Sequence, residues 1–167
     1  PGKVLKEVCG KTLLEHLIIR LRRVKQADSI VIATTTREHD NQIVDLCNKL
    51  KIHYYRGSEN DVLSRYYEAS VKYGADLIVR ITSDCPLIDP YIVDKVISYY
   101  IGNKDQVDYV SNVLKRTFPK GMDVEVFSFS VLKEAYEEAK KDREREHVTP
   151  FIKHKPEKYH LYNIEYA

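Results

Sequence analysis

The chain has 167 residues, of which 43% are hydrophobic and 31% charged, with a formal net charge of +2. Length and composition fit one soluble domain large enough to bury a core. They exclude a membrane-spanning helix, because no apolar run is long enough, and the even spread of charge makes no case for nucleic acid.

In chain order, the sequence opens on Pro1-Gly2-Lys3, with no initiator methionine and no signal-peptide pattern. Thr12-Leu13-Leu14-Glu15 is a capping box, so a helix should begin there and bury Leu14, Leu17, Ile18, Leu21 and Val24. Residues 29–35 read as a buried strand. Ile43, Val44, Cys47 and Leu50 mark a second helix, and residues 52–56 a short strand. The polar loop 57–61 then leads into a helix through Val62, Leu63, Tyr66, Tyr67 and Val71, which Gly74 stops. A further apolar run begins at Leu77 and should end by about Asp84, since Pro86 cannot join a ladder. Asp89 and Pro90 suit the N-cap and first turn of a helix carrying Val93, Val96, Ile97 and Tyr100. Strands are expected at 107–111 and 123–127, a helix over 131–139 and a last strand from Leu161. Alternating strands and helices predict an α/β fold, with a mainly parallel sheet and helices on both faces. No repeat or linker divides the chain, so residues 1–167 read as a single domain. The abrupt start and the terminal strand predict a fragment cut at both ends.

Four segments carry candidate chemistry. Asp84 stands at the carboxyl end of a buried strand, where open α/β sheets bind ligands. A fixed carboxylate there suits a hard cation such as Mg²⁺, or equally a turn cap. Lys3 can reach a phosphate as a mobile point charge, or simply be solvated. In the loop 57–61, Ser58 and Asn60 can hydrogen-bond a base or sugar, or cap the next helix. Arg65 can pair with Glu68 or with a ligand. Asp123 and Glu125 are two apart and should share one strand face, opposite Val124 and Val126. They can hold a second cation, bind sugar hydroxyls, or stand in solvent. Over residues 142–147, charges of alternating sign usually mean a solvated helix face. Arg143 and Arg145 can also grip a carboxylate, and His147 can donate to a sugar or to a neighbouring acid.

Other readings are poorer. Glu146-His147 lacks the spacing of a zinc helix, and no G-x-S-x-G occurs. Three cysteines (Cys9, Cys47, Cys85) without metal spacing favour a reducing, cytoplasmic setting, with Cys47 in the core.

Taken together, Pro-Gly-Lys, the 57–66 segment Gly-Ser-Glu-Asn-Asp-Val-Leu-Ser-Arg-Tyr, the 80–89 segment Arg-Ile-Thr-Ser-Asp-Cys-Pro-Leu-Ile-Asp, the 118–127 segment Phe-Pro-Lys-Gly-Met-Asp-Val-Glu-Val-Phe and Arg-Glu-His-Val-Thr-Pro-Phe-Ile resemble the cytidylyltransferase family. The family includes the CMP-sialic acid and CMP-Kdo synthetases, and the resemblance points to its spore coat polysaccharide branch. It implies a Rossmann-like α/β/α nucleotidyltransferase sandwich. It also implies a reaction in which a sugar or sugar acid attacks CTP and releases pyrophosphate. Asp84 would be the Mg²⁺ ligand and Lys3 the last residue of a phosphate-binding signature. Ser58, Asn60, Arg65, Arg80, Asp123, Glu125 and His147 would border nucleotide or substrate. The expected partners are CTP and the sugar, with a second copy of the chain as a further one. In the family, a first strand and most of a phosphate loop precede Pro-Gly-Lys. A nucleotide-sugar glycosyltransferase, which usually carries Asp-x-Asp where this chain has Asp84-Cys85-Pro86, and a non-catalytic nucleotide-binding subunit are the alternatives.

Overall fold

The computed structural model describes residues 2–166, so Pro1 and Ala167 lie outside the described residues. The chain forms two compact units, one of residues 2–30, 79–127 and 160–166 and one of residues 31–78 and 128–159.

The first unit begins with a 3₁₀ turn, Lys3–Leu5, and a short hairpin, β1 (Glu7–Val8) and β2 (Lys11–Thr12). Cys9 and Gly10, the two turn residues, both have positive φ, the geometry that matches the twist of a two-residue hairpin. The capping box is present. Thr12 Oγ1 accepts from Glu15 N at 3.1 Å, and Glu15 Oε2 accepts from Thr12 N at 2.7 Å. It starts α1 (Leu13–Leu21), which buries Leu14, Leu17 and Ile18.

The second unit takes over with β3 (Val31–Thr35), α2 (Asn41–Leu50), β4 (His53–Gly57) and α3 (Val62–Tyr73). β3 and β4 are parallel, from Val31 opposite His53 to Thr35 opposite Gly57. α2 is the crossover that a parallel pair requires. Cys47 on α2 is fully buried, and burial pushes its thiol up to about 11. Gly74 closes α3 at φ 62, the left-handed position that favours glycine.

Within β5 (Leu77–Arg80) the chain returns to the first unit and forms α4 (Pro90–Gly102), β6 (Tyr109–Ser111) and β7 (Glu125–Ser128). β5 ends at Arg80, short of the sequence expectation, because Thr82 already opens a turn that Cys85 N closes onto Thr82 O at 3.3 Å. α4 starts as expected, with Asp89 accepting from Tyr91 N at 2.8 Å and Pro90 in the first turn. It buries Ile92, Val93, Val96, Ile97 and Tyr100, and packs on β6.

The second unit is completed by α5 (Phe129–Glu138), α6 (Asp142–His147) and α7 (Pro150–Lys153), and the first by β8 (Leu161–Asn163). Strand order in the larger sheet is β5-β7-β6-β8. β6 is parallel to β8 and antiparallel to β7, so this sheet mixes both kinds of pairing. β7 does not alternate between core and solvent. Glu125, Val126 and Phe127 are all buried, as is Val124, which with Asp123 precedes the strand. No helix is long and apolar enough to cross a membrane among the described residues.

Candidate active site

In the first unit the turn after β5 carries Asp84. Thr82 Oγ1 donates to Asp84 Oδ1 at 2.8 Å, and Lys3 Nζ donates to Oδ2 at 3.3 Å. The Thr82 hydrogen bond, aided by Lys3 and opposed by partial burial, holds this carboxyl below its ordinary value of 3.8. The Asp84 side chain is 49% exposed, so its charge is available to a ligand. Lys3 and Asp84, 81 positions apart in sequence, are therefore brought together.

The Lys3 ammonium also serves as a stand-in for a cation. It shows that an ionised, half-exposed carboxylate holds positive charge at this point. Magnesium keeps several waters and takes only one or two carboxylates plus phosphate oxygens. The donor set fits that demand. It does not resemble a transition-metal cage, since no group of three or more His, Cys, Asp or Glu side chains is placed to hold a metal among the described residues.

The neighbouring side chains are committed to one another. Cys85 is buried, and burial, with the charges of Asp84 and Asp123 beside it, raises its thiol. Asp123 forms a two-pronged pair with Arg116, both contacts at 2.7 Å. Asn112 fixes the loop bearing these residues: its Nδ2 donates to Met122 O at 2.7 Å and its Oδ1 accepts from Val124 N at 2.9 Å.

Glu125 departs from the sequence reading. It is 3% exposed, ion-paired with Arg80, and accepts from the Tyr109 hydroxyl at 2.6 Å. Burial, and then Glu125, raises the Tyr109 hydroxyl far above its ordinary value. Glu125 and Arg80 are thus parts of an internal triad, not ligand groups on a solvent face. Asp123 and Glu125 do not act as a pair, because each has its own arginine.

In the second unit the parallel pair β3/β4 ends at a second polar cluster. Asp40 Oδ2 accepts from Thr34 Oγ1 at 2.7 Å, Thr35 Oγ1 at 2.5 Å and Thr35 N at 2.9 Å. Burial works to raise this carboxyl, but the threonine hydrogen bonds together take it below its ordinary value of 3.8. A depressed native value stabilises the fold above the unfolded-state value and loses that contribution as pH falls through the native one. Asp40→Asn should therefore cost about 1–3 kcal/mol near neutral pH. The gap to the unaltered protein should close in acid, as read by urea unfolding at a series of pH values. An unchanged gap across that range would refute the assignment.

The loop after β4 runs over Ser58, Glu59 and Asn60, all exposed. Gly57 must be bare, since a Cβ there would stand 2.7 Å from Arg65 Cγ. The cap of α3 is Asp61, not Ser58 or Asn60. Its Oδ1 accepts from Ser64 N at 2.9 Å, while Ser58 Oγ accepts from Asp61 N at 3.1 Å. Glu59 pairs with Arg37. Arg65 does not meet Glu68, which instead accepts from the Tyr55 hydroxyl at 2.7 Å. Burial lowers the Arg65 guanidinium, offset by Asp40 and Glu59 among its neighbours, and its buried Nε has no hydrogen-bond partner among the described residues.

His147 is exposed at the end of α6, with Glu146 4.0 Å away. Immediately after it, the fully buried Val148 has φ 70 and ψ −57, and Thr149 N donates to His147 O at 2.8 Å. This is a γ-turn with positive φ on a β-branched residue, a conformation costing on the order of 1–3 kcal/mol. Arg145, which the sequence offered either to solvent or to a carboxylate, grips one: it is bound to Asp61 Oδ2 through Nε at 3.0 Å and Nη2 at 2.5 Å. The signal that could have found it is Asp61 itself, an acid at an N-cap with a second oxygen to spare.

Comparison with known proteins bears on these features. The family described as cytidylyltransferase matches residues 1–167. The protein MJ1063 of Methanocaldococcus jannaschii is 42% identical over 98% of this chain. The spore coat polysaccharide biosynthesis protein SpsF of Bacillus subtilis is 31% identical over 99% of it. The chain spans 65% of the length of the first and 69% of the second. A solved cytidylyltransferase from Leptospira borgpetersenii is 32% identical, with a TM-score of 0.96 over 99% of this chain and 70% of its own. A CMP:2-keto-3-deoxy-manno-octonic acid synthetase complexed with CTP has a TM-score of 0.74 over 100% of this chain and 84% of its own. At 14% identity it speaks for the fold alone, a Rossmann-like nucleotidyltransferase. The order of segments around Lys3, Ser58, Asp84, Asp123 and His147, and the match over the whole chain, place this protein in the cytidylyltransferase family.

Proposed function

We propose that the protein transfers a cytidylyl group from CTP to a hydroxyl of a sugar or sugar acid, releasing pyrophosphate, for surface polysaccharide synthesis. The observation that carries this reading is Asp84, an ionised carboxylate in the turn after β5 with a lysine ammonium already resting on it. Transfer of this kind depends on positioning and on neutralising charge, with little covalent work for the protein. The attacking oxygen bonds to the α-phosphorus, the bond to the β-phosphate oxygen breaks, and the hydroxyl proton is lost. Asp84 would hold Mg²⁺, which when bound neutralises phosphate charge and orients the leaving group. Lys3 would leave Asp84 for the phosphates, since its side chain is 67% exposed and long enough to swing. Ser58 and Asn60 are exposed and chemically suited to the nucleoside. The polysaccharide setting is supported by the likeness to SpsF, and a sugar acid by the sequence likeness to a 3-deoxy-manno-octulosonate cytidylyltransferase of Geobacter sulfurreducens. A cytoplasmic location belongs to the same proposal, on the reading that three cysteines without metal spacing favour a reducing compartment.

The test is pyrophosphate release by the full-length protein with each nucleoside triphosphate, Mg²⁺ and a panel of sugars and sugar acids. Release with CTP and at least one acceptor is expected. No release with any nucleotide would sink the enzyme reading and leave the non-catalytic one.

A further inference from the structure

Resting on the reading above, we infer that Arg145 is a positioning residue that fixes the nucleoside-side loop through Asp61. Every nitrogen of its guanidinium is used. Nε and Nη2 donate to Asp61 Oδ2, and Nη1 donates to Tyr136 O at 2.6 Å. The guanidinium carbon lies 5.0 Å from the centroid of the Tyr136 ring, which is stacked on Tyr67 of α3 at 4.1 Å and 5°. The side chain is only 21% exposed, so solvent screens these contacts little. Asp61 is the point at which the clamp acts. The same carboxylate that takes Arg145 also accepts from Ser64 N, and Asp61 N is held by Ser58 Oγ. Arg145 therefore sets the orientation of a residue bonded both to the loop and to the first turn of α3.

The other end of α6 is equally fixed. A six-residue helix has little stability of its own. It ends in the strained γ-turn at Val148, whose neighbours Thr149, Pro150, Phe151 and Ile152 are buried. Such a turn survives only where its surroundings over-determine it. The segment from Arg145 to Thr149 is thus anchored on both sides and can serve as a rigid stop for the loop. A solvated charge run would have neither anchor.

The experiment compares Arg145→Gln, Asp61→Asn and the double variant in the full chain. Asparagine caps helices as well as aspartate does, so Asp61→Asn removes the clamp and keeps the cap. The readouts are the dissociation constant of CTP with Mg²⁺ by calorimetry, the KM for CTP against kcat, and the melting temperature. Each single variant should weaken CTP binding about tenfold, with the KM for CTP moving more than kcat. The double variant should be no weaker than either single one, because both remove one interaction. Arg145→Lys, with charge but no fork, should fall between. Wild-type CTP affinity in all variants, even with a lower melting temperature, would make the clamp merely structural and overturn the inference. So would full additivity. Wild-type protein that binds no CTP would refute the functional reading and this inference together. Wild-type protein that binds CTP without turnover would refute the enzyme reading alone, and the binding comparison would still decide the role of Arg145.

Discussion

Asp84→Asn should lower pyrophosphate release by on the order of a hundred- to a thousandfold while leaving the fold in place. Asparagine has nearly the same shape and can still accept from Thr82 Oγ1. What it lacks is the charge that holds Lys3 and that would hold a divalent cation. The fold should tolerate the change because the Lys3–Asp84 pair is exposed, and exposed pairs contribute about 0–1 kcal/mol. A melting curve like that of the unaltered protein, together with lost turnover and lost Mn²⁺ binding, is the expected set of results. Normal turnover would refute the assignment of Asp84. The pH profile adds a signed check. Activity that needs the ionised form should persist to lower pH than an ordinary carboxyl allows, because Thr82 and Lys3 depress this one. An acidic limb placed above the ordinary carboxyl value would have to come from another group.

Arg80→Ala should have the largest effect on stability. It would leave the Glu125 carboxylate, 3% exposed, with only the Tyr109 hydroxyl of the two contacts described above. Removing one partner of a buried ion pair costs about 3–5 kcal/mol, a large share of the roughly 5–15 kcal/mol by which a domain is stable. Urea unfolding should show the midpoint falling with little change in slope. Replacing all three side chains with apolar ones of similar volume should restore much of the loss, since the triad's own desolvation cost disappears with it. A loss below about 1 kcal/mol in Arg80→Ala would refute the view that the Arg80–Glu125 pair is a main support of this region.

The sequence was most legible where signals are local. Thr12 with Glu15, Asp89 with Pro90, and Gly74 mark helix ends through contacts only a few residues apart, and all three hold in the structure. Glu125 was misread because two-residue periodicity sends an acid beside valines toward solvent. Its partners Arg80 and Tyr109 arrive from 45 and 16 residues away, and no local pattern encodes them. The end of β5 was misplaced for a related reason. Proline sets only the latest point at which a ladder can stop, whereas a turn begun at Thr82 stopped this one earlier. Lys3 and Asp84 were singled out by recognition of segment order, and nothing in their own neighbourhoods foretold the contact between them. For Arg145 the sequence left a solvated face and a grip on a carboxylate side by side, because alternating charge suits both, and only the folded chain shows that the carboxylate is Asp61.

Asp61 divides its carboxylate between two tasks, the cap of α3 and the hold on α6. A single side chain therefore couples two motions that would otherwise be independent. Fraying of the first turn of α3 releases Oδ1 and lets the carboxylate turn its Oδ2 away from Arg145, and departure of α6 removes the charge that keeps Asp61 over Ser64. Local opening of the two segments becomes one cooperative event. The amides of Ser64 and of residues 144–149 should then exchange their hydrogens with a common rate and respond together when nucleotide is added.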